Sequence, residues 1–316
     1  MSTDKITLTE SFYKTADALQ TRIRIHEQYT EPAVDFNAWV LDQIRWRGDE
    51  VVLDVGCGAG SYMAPAQARG GRYLAGDLSH GMLKGLDTAA PRLNLDAQQL
   101  PLADNSVDVI LANHMLYHVP NQPAAVAEFA RVLRPRGYLL ACTNSIYNLL
   151  QYHQLRVEAC QALGVPSRPP EEWISFPFSA ENGAEVIGRA FPNVKTHLLE
   201  SALVFPHAQP VLDYFRSMRM GIEPELIAHG RTWAEFEGYV AAVLATHFAS
   251  HPTWPVAKKA AVFVAQKTNQ PHSLGINQAL VLMPHCCSKV FPGSARALEH
   301  QKENLGWHQH YDPPPI

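Results

Sequence analysis

Strand-like and helix-like segments alternate about five times between residues 50 and 145 of this 316-residue chain. Short apolar segments rich in Val, Ile and Leu are each followed by a segment long enough for a helix. Strands joined by helical crossovers pair in parallel, and those crossovers are right-handed. The alternation therefore predicts an α/β fold with a doubly wound, mostly parallel sheet.

The pattern changes on both sides of this alternation and predicts three regions. Residues 1–49 read as an N-terminal helical cap. Residues 50–267 contain the alternating segments, with insertions around 145–177 and 206–250 that we expect to form a helical lid. Residues 268–316 show no sustained period and end in three prolines before the final Ile, so we expect an appended, poorly ordered tail.

Composition excludes several classes of protein. The chain is 47% hydrophobic and 18% charged, with a formal net charge of -4, so it lacks the basic character of a protein that binds long nucleic acids. It contains no apolar stretch long enough to span a membrane, and its N-terminus lacks the apolar segment of a secretory signal. The five cysteines show no paired spacing. We therefore expect a cytoplasmic protein without stable nucleic-acid or membrane binding.

A glycine-rich turn, "DVGCGAGSY", follows the first strand of the alternation. Glycines there let backbone N–H groups approach a ligand at the carboxyl end of the sheet. No Lys follows the glycines, which excludes a P-loop, and Ser61 occupies the position where a dinucleotide fingerprint that starts at Gly56 needs its third glycine. Asp54 stands just before the glycines, and a carboxylate there would repel a pyrophosphate and attract a cation.

An acid before G-x-G-x-G resembles the first motif of class I S-adenosylmethionine-dependent methyltransferases. Three further segments resemble that family in the same order, namely "AGDLS", "NLDAQQLPLADNSVDVILANHMLYHV" and "RVLRPRGYLLACTN". The second of these is similar to the type 11, small-molecule branch. In the third, Arg136 replaces the first glycine of the family's "LRPGG" turn. The resemblance is strong over residues 50–145, looser over 10–49 and 175–267, and implies a seven-stranded, Rossmann-like sheet.

The resemblance also implies S-adenosyl-L-methionine as cofactor and assigns residues to it. Asp54 and the glycine turn would hold the methionine part, Asp77 would accept both ribose hydroxyls, and Asp96 would take the adenine amino group. Met82 would cover the adenine ring, although a core role fits this residue as well. The complete implied set is Asp54, Gly56, Cys57, Gly58, Gly60, Asp77, Leu78, Met82, Asp96, Ala97 and Asn113.

His114 and His118 are the candidate catalytic residues, because they follow the strand that ends at Asn113 and would face the methyl donor. A neutral imidazole there could remove a proton from the acceptor, and a helix would place both rings on one face. Each could instead be a hydrogen-bonded structural histidine. Three residues of the N-terminal helices could contact the carboxylate end of the cofactor or the substrate, namely Tyr13, His26 and Tyr29. We expect no metal site, since no third ligand lies near the His pair in sequence.

The sequence therefore predicts an enzyme that transfers a methyl group from S-adenosylmethionine to O, N or C of a small metabolite. Two alternatives stay open at this point. One is methylation of a base in ribosomal or transfer RNA, and the other is a non-catalytic protein that binds S-adenosylmethionine. A monomer or a homodimer is compatible with the sequence.

Overall fold

The computed structural model describes residues 17–167 and 177–269. The predictions made for Tyr13 and for the tail from residue 270 onward lie outside the described residues, as does part of the Pro-rich lid segment. All described residues belong to one unit that spans residues 1–271.

The N-terminal segment forms two helices, α1 (Asp17–Tyr29) and α2 (Phe36–Leu41). A two-residue strand, β1 (Thr30–Glu31), follows α1 directly. Helix α2 begins after Asp35, whose carboxylate accepts a hydrogen bond from the Ala38 N–H at 2.9 Å. This bond satisfies one of the N–H groups that a helix start leaves unpaired.

The alternating region forms the elements that its pattern predicts. They are β2 (Val51–Val55), α3 (Met63–Ala68), β3 (Arg72–Asp77), α4 (His80–Gly85), β4 (Arg92–Asn94), β5 (Val107–Leu111), α5 (Gln122–Val132) and β6 (Leu133–Asn144). A short 3₁₀ turn, Leu116–His118, lies between β5 and α5. Ser79 caps α4 and Asn121 caps α5 through their side chains, so polar residues mark both helix starts.

The C-terminal half of the described chain adds five helices and two long strands. They are α6 (Leu150–Ala162), α7 (Gly183–Gly188), β7 (Val194–Phe205), α8 (Ala208–Ser217), α9 (Glu223–Ala228), α10 (Trp233–Phe248) and β8 (Trp254–Gln266). A 3₁₀ turn, Arg219–Gly221, joins α8 to α9. Within the described ranges, none of the helices has the length and apolar character that crossing a membrane requires.

The strands form one sheet in the order β1-β7-β8-β6-β5-β2-β3-β4. The five strands from β4 to β6 are parallel, and β8, β7 and β1 continue the sheet antiparallel at the other edge. The predicted doubly wound, mostly parallel fold is confirmed. The sheet has eight strands in the described chain where the sequence predicted seven, because β1 pairs with β7 through Thr30 and Glu31.

Three apolar clusters hold these layers together. The first covers one face of the sheet and includes Phe129 of α5 and Phe263 of β8, and the second covers the other face and includes Val40 of α2. The third joins α1, α6, α8, α9 and α10 to the far ends of β7 and β8, around Phe215 and Phe236. The long β7–β8 pair thus carries helices beyond the edge of the parallel sheet, next to the carboxyl ends of its strands.

Candidate active site

One cavity of about 930 Å³ opens at the carboxyl ends of β2, β3 and β5. Ligands of open α/β sheets bind at this edge, where neighbouring crossovers lie on opposite faces. Residues from α1, β7 and β8 complete the walls. The volume lies at the upper end of the range for small-molecule sites, so it can accommodate two ligands side by side.

The glycine turn forms the floor of this cavity through Gly56 and Gly58. Both have positive φ, 75° and 53°, a conformation that favours glycine. A Cβ on Gly56 would lie 2.8 Å from the Cβ of Met115, so a side chain there would displace the neighbouring loop. The N–H groups of Gly56 and Cys57 both donate to the carbonyl oxygen of Gly76, at 2.8 and 2.9 Å. These bonds tie the turn to β3.

Gly60 and Cys57 have roles other than direct chemistry. Gly60 does not line the cavity; its φ of +76° and the bond from its N–H to the Cys57 carbonyl close the turn. Cys57 lines the cavity but is buried. Burial, together with the negative field of Asp54 and Asp77, raises the pKa of its thiol far above the usual value. The thiol therefore lacks the thiolate character of a nucleophile.

Asp54 is buried at the end of β2 and lines the cavity. Burial, with a smaller contribution from the charge of Asp77, raises the pKa of its carboxyl group to about 7, against the opposing effect of the hydrogen bond that the Tyr73 hydroxyl donates to Oδ2. In residues 17–167 and 177–269, no salt bridge pairs a cationic side chain with the Asp54 carboxylate. A bound cation would supply such a partner.

Asp77, at the end of β3, accepts hydrogen bonds from backbone N–H groups. The Gly58 N–H donates to its Oδ2 at 2.9 Å, and the Ser79 N–H donates to its Oδ1 at 2.8 Å. Burial raises the pKa of this carboxyl group and the backbone donors partly oppose that rise. Each oxygen retains a lone pair that can accept a hydrogen bond from a ligand.

Asp96 follows β4 and accepts hydrogen bonds from the backbone and side-chain amides of Gln98. Ala97 beside it is buried and also lines the cavity, as do Leu78 and Met82 from the segment after β3. We name the three carboxylates Asp54, Asp77 and Asp96 the acidic side of the cavity. The sequence predicted all three for a single ligand, and they line a single cavity.

Asn113 and the two histidines follow β5, and all three line the cavity. Asn113 accepts a hydrogen bond from the Cys142 N–H through Oδ1 at 3.2 Å. His114 has a left-handed backbone, with φ of 54°, and precedes the 3₁₀ turn that contains His118. The expected helical face shared by the two imidazoles is therefore absent. His118 instead packs edge-on against Tyr117, with ring centroids 4.6 Å apart.

Helix α1 contributes His26 to the cavity but directs Tyr29 elsewhere. Tyr29 does not line the cavity, and its ring packs on Phe205 in the third apolar cluster, with centroids 5.3 Å apart. His26 lies within 3.3 Å of the Tyr214 hydroxyl through Nε2. Of the two candidates on the described part of the N-terminal region, only His26 faces the site.

Lys258 of β8 is a cavity residue to which the sequence reading gave no weight. Its Nζ donates to Oγ1 of Thr30 at 2.7 Å, and burial lowers its pKa to about 8. Alternation along β8 turns Lys258 and Ala260 toward the cavity, whereas Lys259 pairs with Glu200. The face of β8 that Lys258 occupies depends on the pairing with β7, so no local pattern in the sequence identifies it.

Lys258 lies among other nitrogen-bearing side chains. Burial lowers the pKa of His26 to about 3, helped by the charges of Lys258, His114 and Arg22. Burial and Lys258 lower the pKa of His114 to about 4. We name Arg22, His26, His114 and Lys258 the basic side of the cavity. In the described ranges, no group of three or more His, Cys, Asp or Glu side chains is arranged to hold a metal ion.

Comparison with known families identifies the segment that forms the acidic side. Residues 53–141 match the type 11 family model, described as a methyltransferase domain. This match contains β2 through most of β6, including the glycine turn and all three carboxylates. The segment therefore belongs to that family of methyltransferase domains.

Characterised relatives share parts of the chain. A malonyl-[acyl-carrier protein] O-methyltransferase of Yersinia pestis is 38% identical over 96 residues, which cover 29% of this chain and 36% of the relative. A demethylmenaquinone methyltransferase of Mycolicibacterium vanbaalenii is 29% identical over 170 residues, covering 50% of this chain and 75% of the relative. The alignment with the Yersinia protein thus spans little more than a third of its length.

A solved structure supports the fold. The Haemonchus contortus phosphoethanolamine N-methyltransferase 2, in complex with S-adenosyl-L-methionine, aligns with a TM-score of 0.51 and 17% identity. The alignment covers 85% of this chain and 60% of that protein. At this identity the likeness concerns the α/β architecture alone.

Proposed function

We propose that this chain, whose residues 53–141 are a methyltransferase domain, binds S-adenosyl-L-methionine and transfers its methyl group to a small-molecule acceptor. The observation that carries the proposal is the acidic side of the cavity. Three carboxylates and a glycine turn without Lys surround one site. Such a site attracts a cationic nucleoside and repels a phosphate.

The acidic side fits the parts of this cofactor one by one. Asp77 retains lone pairs for the two ribose hydroxyls while its backbone bonds hold the carboxylate in place. Asp96 and the Ala97 backbone would take the adenine amino group, with Met82 against the ring. Asp54 and the turn would hold the positively charged methionine part of the cofactor. The positive charge of that part would lower the raised pKa of Asp54.

Asn113 provides an independent indication of a ligand. Its Nδ2 is buried and has no hydrogen-bond partner in residues 17–167 and 177–269. An unpaired buried donor costs about 1–3 kcal/mol, so a ligand acceptor atom in the cavity would offset that cost. Asn113 follows β5 and lies between the acidic side and His114, the place where cofactor and acceptor would meet.

The cofactor supplies a methyl carbon that its sulfonium already activates for displacement. The chain's contribution is alignment, since a near-attack geometry removes most of the entropic barrier. Apolar residues on the cavity wall, among them Phe36, Met115 and Leu199, exclude water from the reacting atoms. His114 is neutral at neutral pH because its pKa lies near 4, so its imidazole can accept a proton from an acceptor that must lose one.

We infer that the acceptor is a small metabolite rather than a nucleic acid. The cavity is enclosed by α1, β7 and β8, and the chain has a net charge of -4. The relatives named above act on malonyl-[acyl-carrier protein] and demethylmenaquinone, two different acceptors, so relatedness alone does not select one.

Transfer of a labelled methyl group tests the proposal. Purified protein and methyl-labelled S-adenosylmethionine would be incubated with a metabolite extract and, separately, with total RNA. We expect label in small molecules, lost in Asp77→Ala and retained in the control Asp87→Ala, whose exposed side chain lies outside the cavity. Label in RNA alone, or cofactor binding with no transfer to any acceptor, would contradict the proposal.

A further inference from the structure

The basic side of the cavity has no acidic partner in the described protein. Arg22 donates to the carbonyl oxygen of Ser217 at 2.9 Å and contacts the sulfur of Met218. Lys258 donates to the Thr30 hydroxyl, and His26 lies against the Tyr214 hydroxyl. Throughout residues 17–167 and 177–269, neither Arg22 nor Lys258 forms a salt bridge.

The field on this side is positive. The groups that lower the pKa of His26 besides burial are Lys258, His114 and Arg22, all of them basic. Glu27 and Asp35 also line the cavity, but Glu27 is exposed and the Asp35 carboxylate caps α2. A half-buried ammonium without a counter-ion is costly, and the cost disappears when a ligand supplies the negative charge.

The strand order separates Lys258 from the acidic side, and His114, which follows β5, lies between them. Lys258 lies on β8, and β6 and β5 stand between β8 and the Asp54-bearing β2. Three strand spacings of about 4.8 Å place the two strands about 14 Å apart. Ser201 of β7 faces Lys258 across the antiparallel pair and also lines the cavity. Lys258 therefore belongs to a second subsite, beyond the residues assigned to the cofactor.

We propose that the methyl acceptor carries an oxyanion, a carboxylate or a phosphate, that binds between Lys258 and His26 with His114 beside it. This inference rests on the proposed function and specifies its substrate class. The Lys258 ammonium would form a charge-assisted hydrogen bond to the oxyanion, and the Thr30 hydroxyl holds the ammonium in position. The negative charge would also oppose the part of the pKa lowering that Lys258 adds to the effect of burial at both imidazoles, which strengthens His114 as a proton acceptor.

Calorimetry on protein saturated with S-adenosylhomocysteine tests the inference with three probes of similar shape. Benzoate and phenyl phosphate carry the two candidate oxyanions, and benzamide is the neutral control. We expect at least one anion to bind about tenfold or more tightly than benzamide, the effect of one charge-assisted hydrogen bond. The better anion identifies the oxyanion.

Two neighbouring lysines provide matched variants. Lys258→Gln should remove the preference for the anion, whereas Lys259→Gln, which alters the residue paired with Glu200, should retain it. Equal affinity for all three probes would overturn this inference alone. It would also be overturned if Lys258→Gln weakened S-adenosylhomocysteine itself about tenfold, because the cluster would then hold the cofactor. Failure of S-adenosylhomocysteine to bind would instead overturn the proposed function, and this assignment with it.

Discussion

The acidic and basic sides of the cavity differ in how the chain builds them. The acidic side comes from residues 54–96, where Asp54 lies near the end of β2, Asp77 ends β3 and Asp96 lies shortly after β4. The basic side combines Arg22 and His26 of the N-terminal helix and Lys258 of the last strand with His114, which follows β5. A short continuous segment can thus define one subsite, while the other depends on contacts between the two ends of the described chain.

The two sides also respond to burial with opposite signs. Burial disfavours the charged form of any group, so it raises the pKa of Asp54 to about 7 and lowers those of His26 and His114 to about 3 and 4. Each side is closer to neutral in the empty cavity than its residue types suggest. A cationic ligand on the acidic side and an anionic one on the basic side would restore both sets of charges.

The largest effect is expected from filling the floor of the acidic side. Gly56→Ala places a Cβ 2.8 Å from that of Met115 on a residue with φ of 75°. Overpacking and left-handed strain together should cost about 2–4 kcal/mol in the free energy of unfolding, measured by denaturant titration. Gly85→Ala is the control, because nothing lies within 4 Å of its Cβ position in α4. Equal stability of the two variants would refute the close contact.

Removing a carboxylate should have the next largest effect. Asp77→Ala deletes the acceptor of the ribose hydroxyls and should weaken S-adenosylmethionine binding by about 1–3 kcal/mol, measured by calorimetry. The same change frees the N–H groups of Gly58 and Ser79, so folding must be checked by circular dichroism. Asp87→Ala should bind like the wild type. An affinity unchanged in folded Asp77→Ala would rule out the ribose assignment.

The pH dependence of stability should separate the two sides. Between about pH 4 and 6.5 the unfolded chain binds protons at His26 and His114 that the folded chain does not, so these groups make stability rise with pH. Asp54 acts oppositely, because its folded pKa of about 7 lies above the unfolded value and stability falls as pH rises through this range. Unfolding free energies at pH 4.5, 5.5 and 6.5 measure the balance.

Two variants resolve these opposing contributions. His26→Gln should flatten the rise in stability by up to about 1.4 kcal/mol per pH unit, and Asp54→Asn should steepen it by a comparable amount. Asn at position 54 can still accept the hydrogen bond from the Tyr73 hydroxyl. If the unfolding free energy changed with pH in the same way in both variants and in the wild type, neither His26 nor Asp54 would have a shifted pKa.

The smallest effect is expected when a residue of the basic side is substituted and the affinity for the cofactor is measured. Lys258→Gln should change S-adenosylhomocysteine affinity by less than about twofold, because three strand spacings separate Lys258 from Asp54. Calorimetry of this variant beside Asp77→Ala compares the two sides directly. If Lys258→Gln lost as much S-adenosylhomocysteine affinity as Asp77→Ala, the two sides would belong to one subsite.

Local pattern was sufficient for the parallel sheet and for the position of the acidic side. Strand β2, the glycine turn and Asp77 lie close together in sequence, and parallel pairing brings them to one edge. Gly60 shows the limit of motif reading, since it closes the turn without reaching the cavity. Glycine is favoured at position 60 because of its backbone conformation and not because of a contact with a ligand.

Features that depend on long-range pairing could not be predicted. The short strand β1 exists because Thr30 and Glu31 meet β7, and Lys258 is a cavity residue because antiparallel pairing sets which face it takes. The His114 backbone is left-handed, and the sequence between β5 and the 3₁₀ turn does not predict this conformation. Tyr29 packs on Phe205, a partner that only the folded β7 supplies.

The central claim is that the glycine turn and the acidic side hold a cationic nucleoside without phosphates. Parallel calorimetric titrations of the wild-type protein with S-adenosylmethionine and with NAD test it most directly. We expect S-adenosylmethionine to bind and NAD, whose pyrophosphate would face Asp54, to give no measurable heat. Binding of NAD without binding of S-adenosylmethionine would contradict the account.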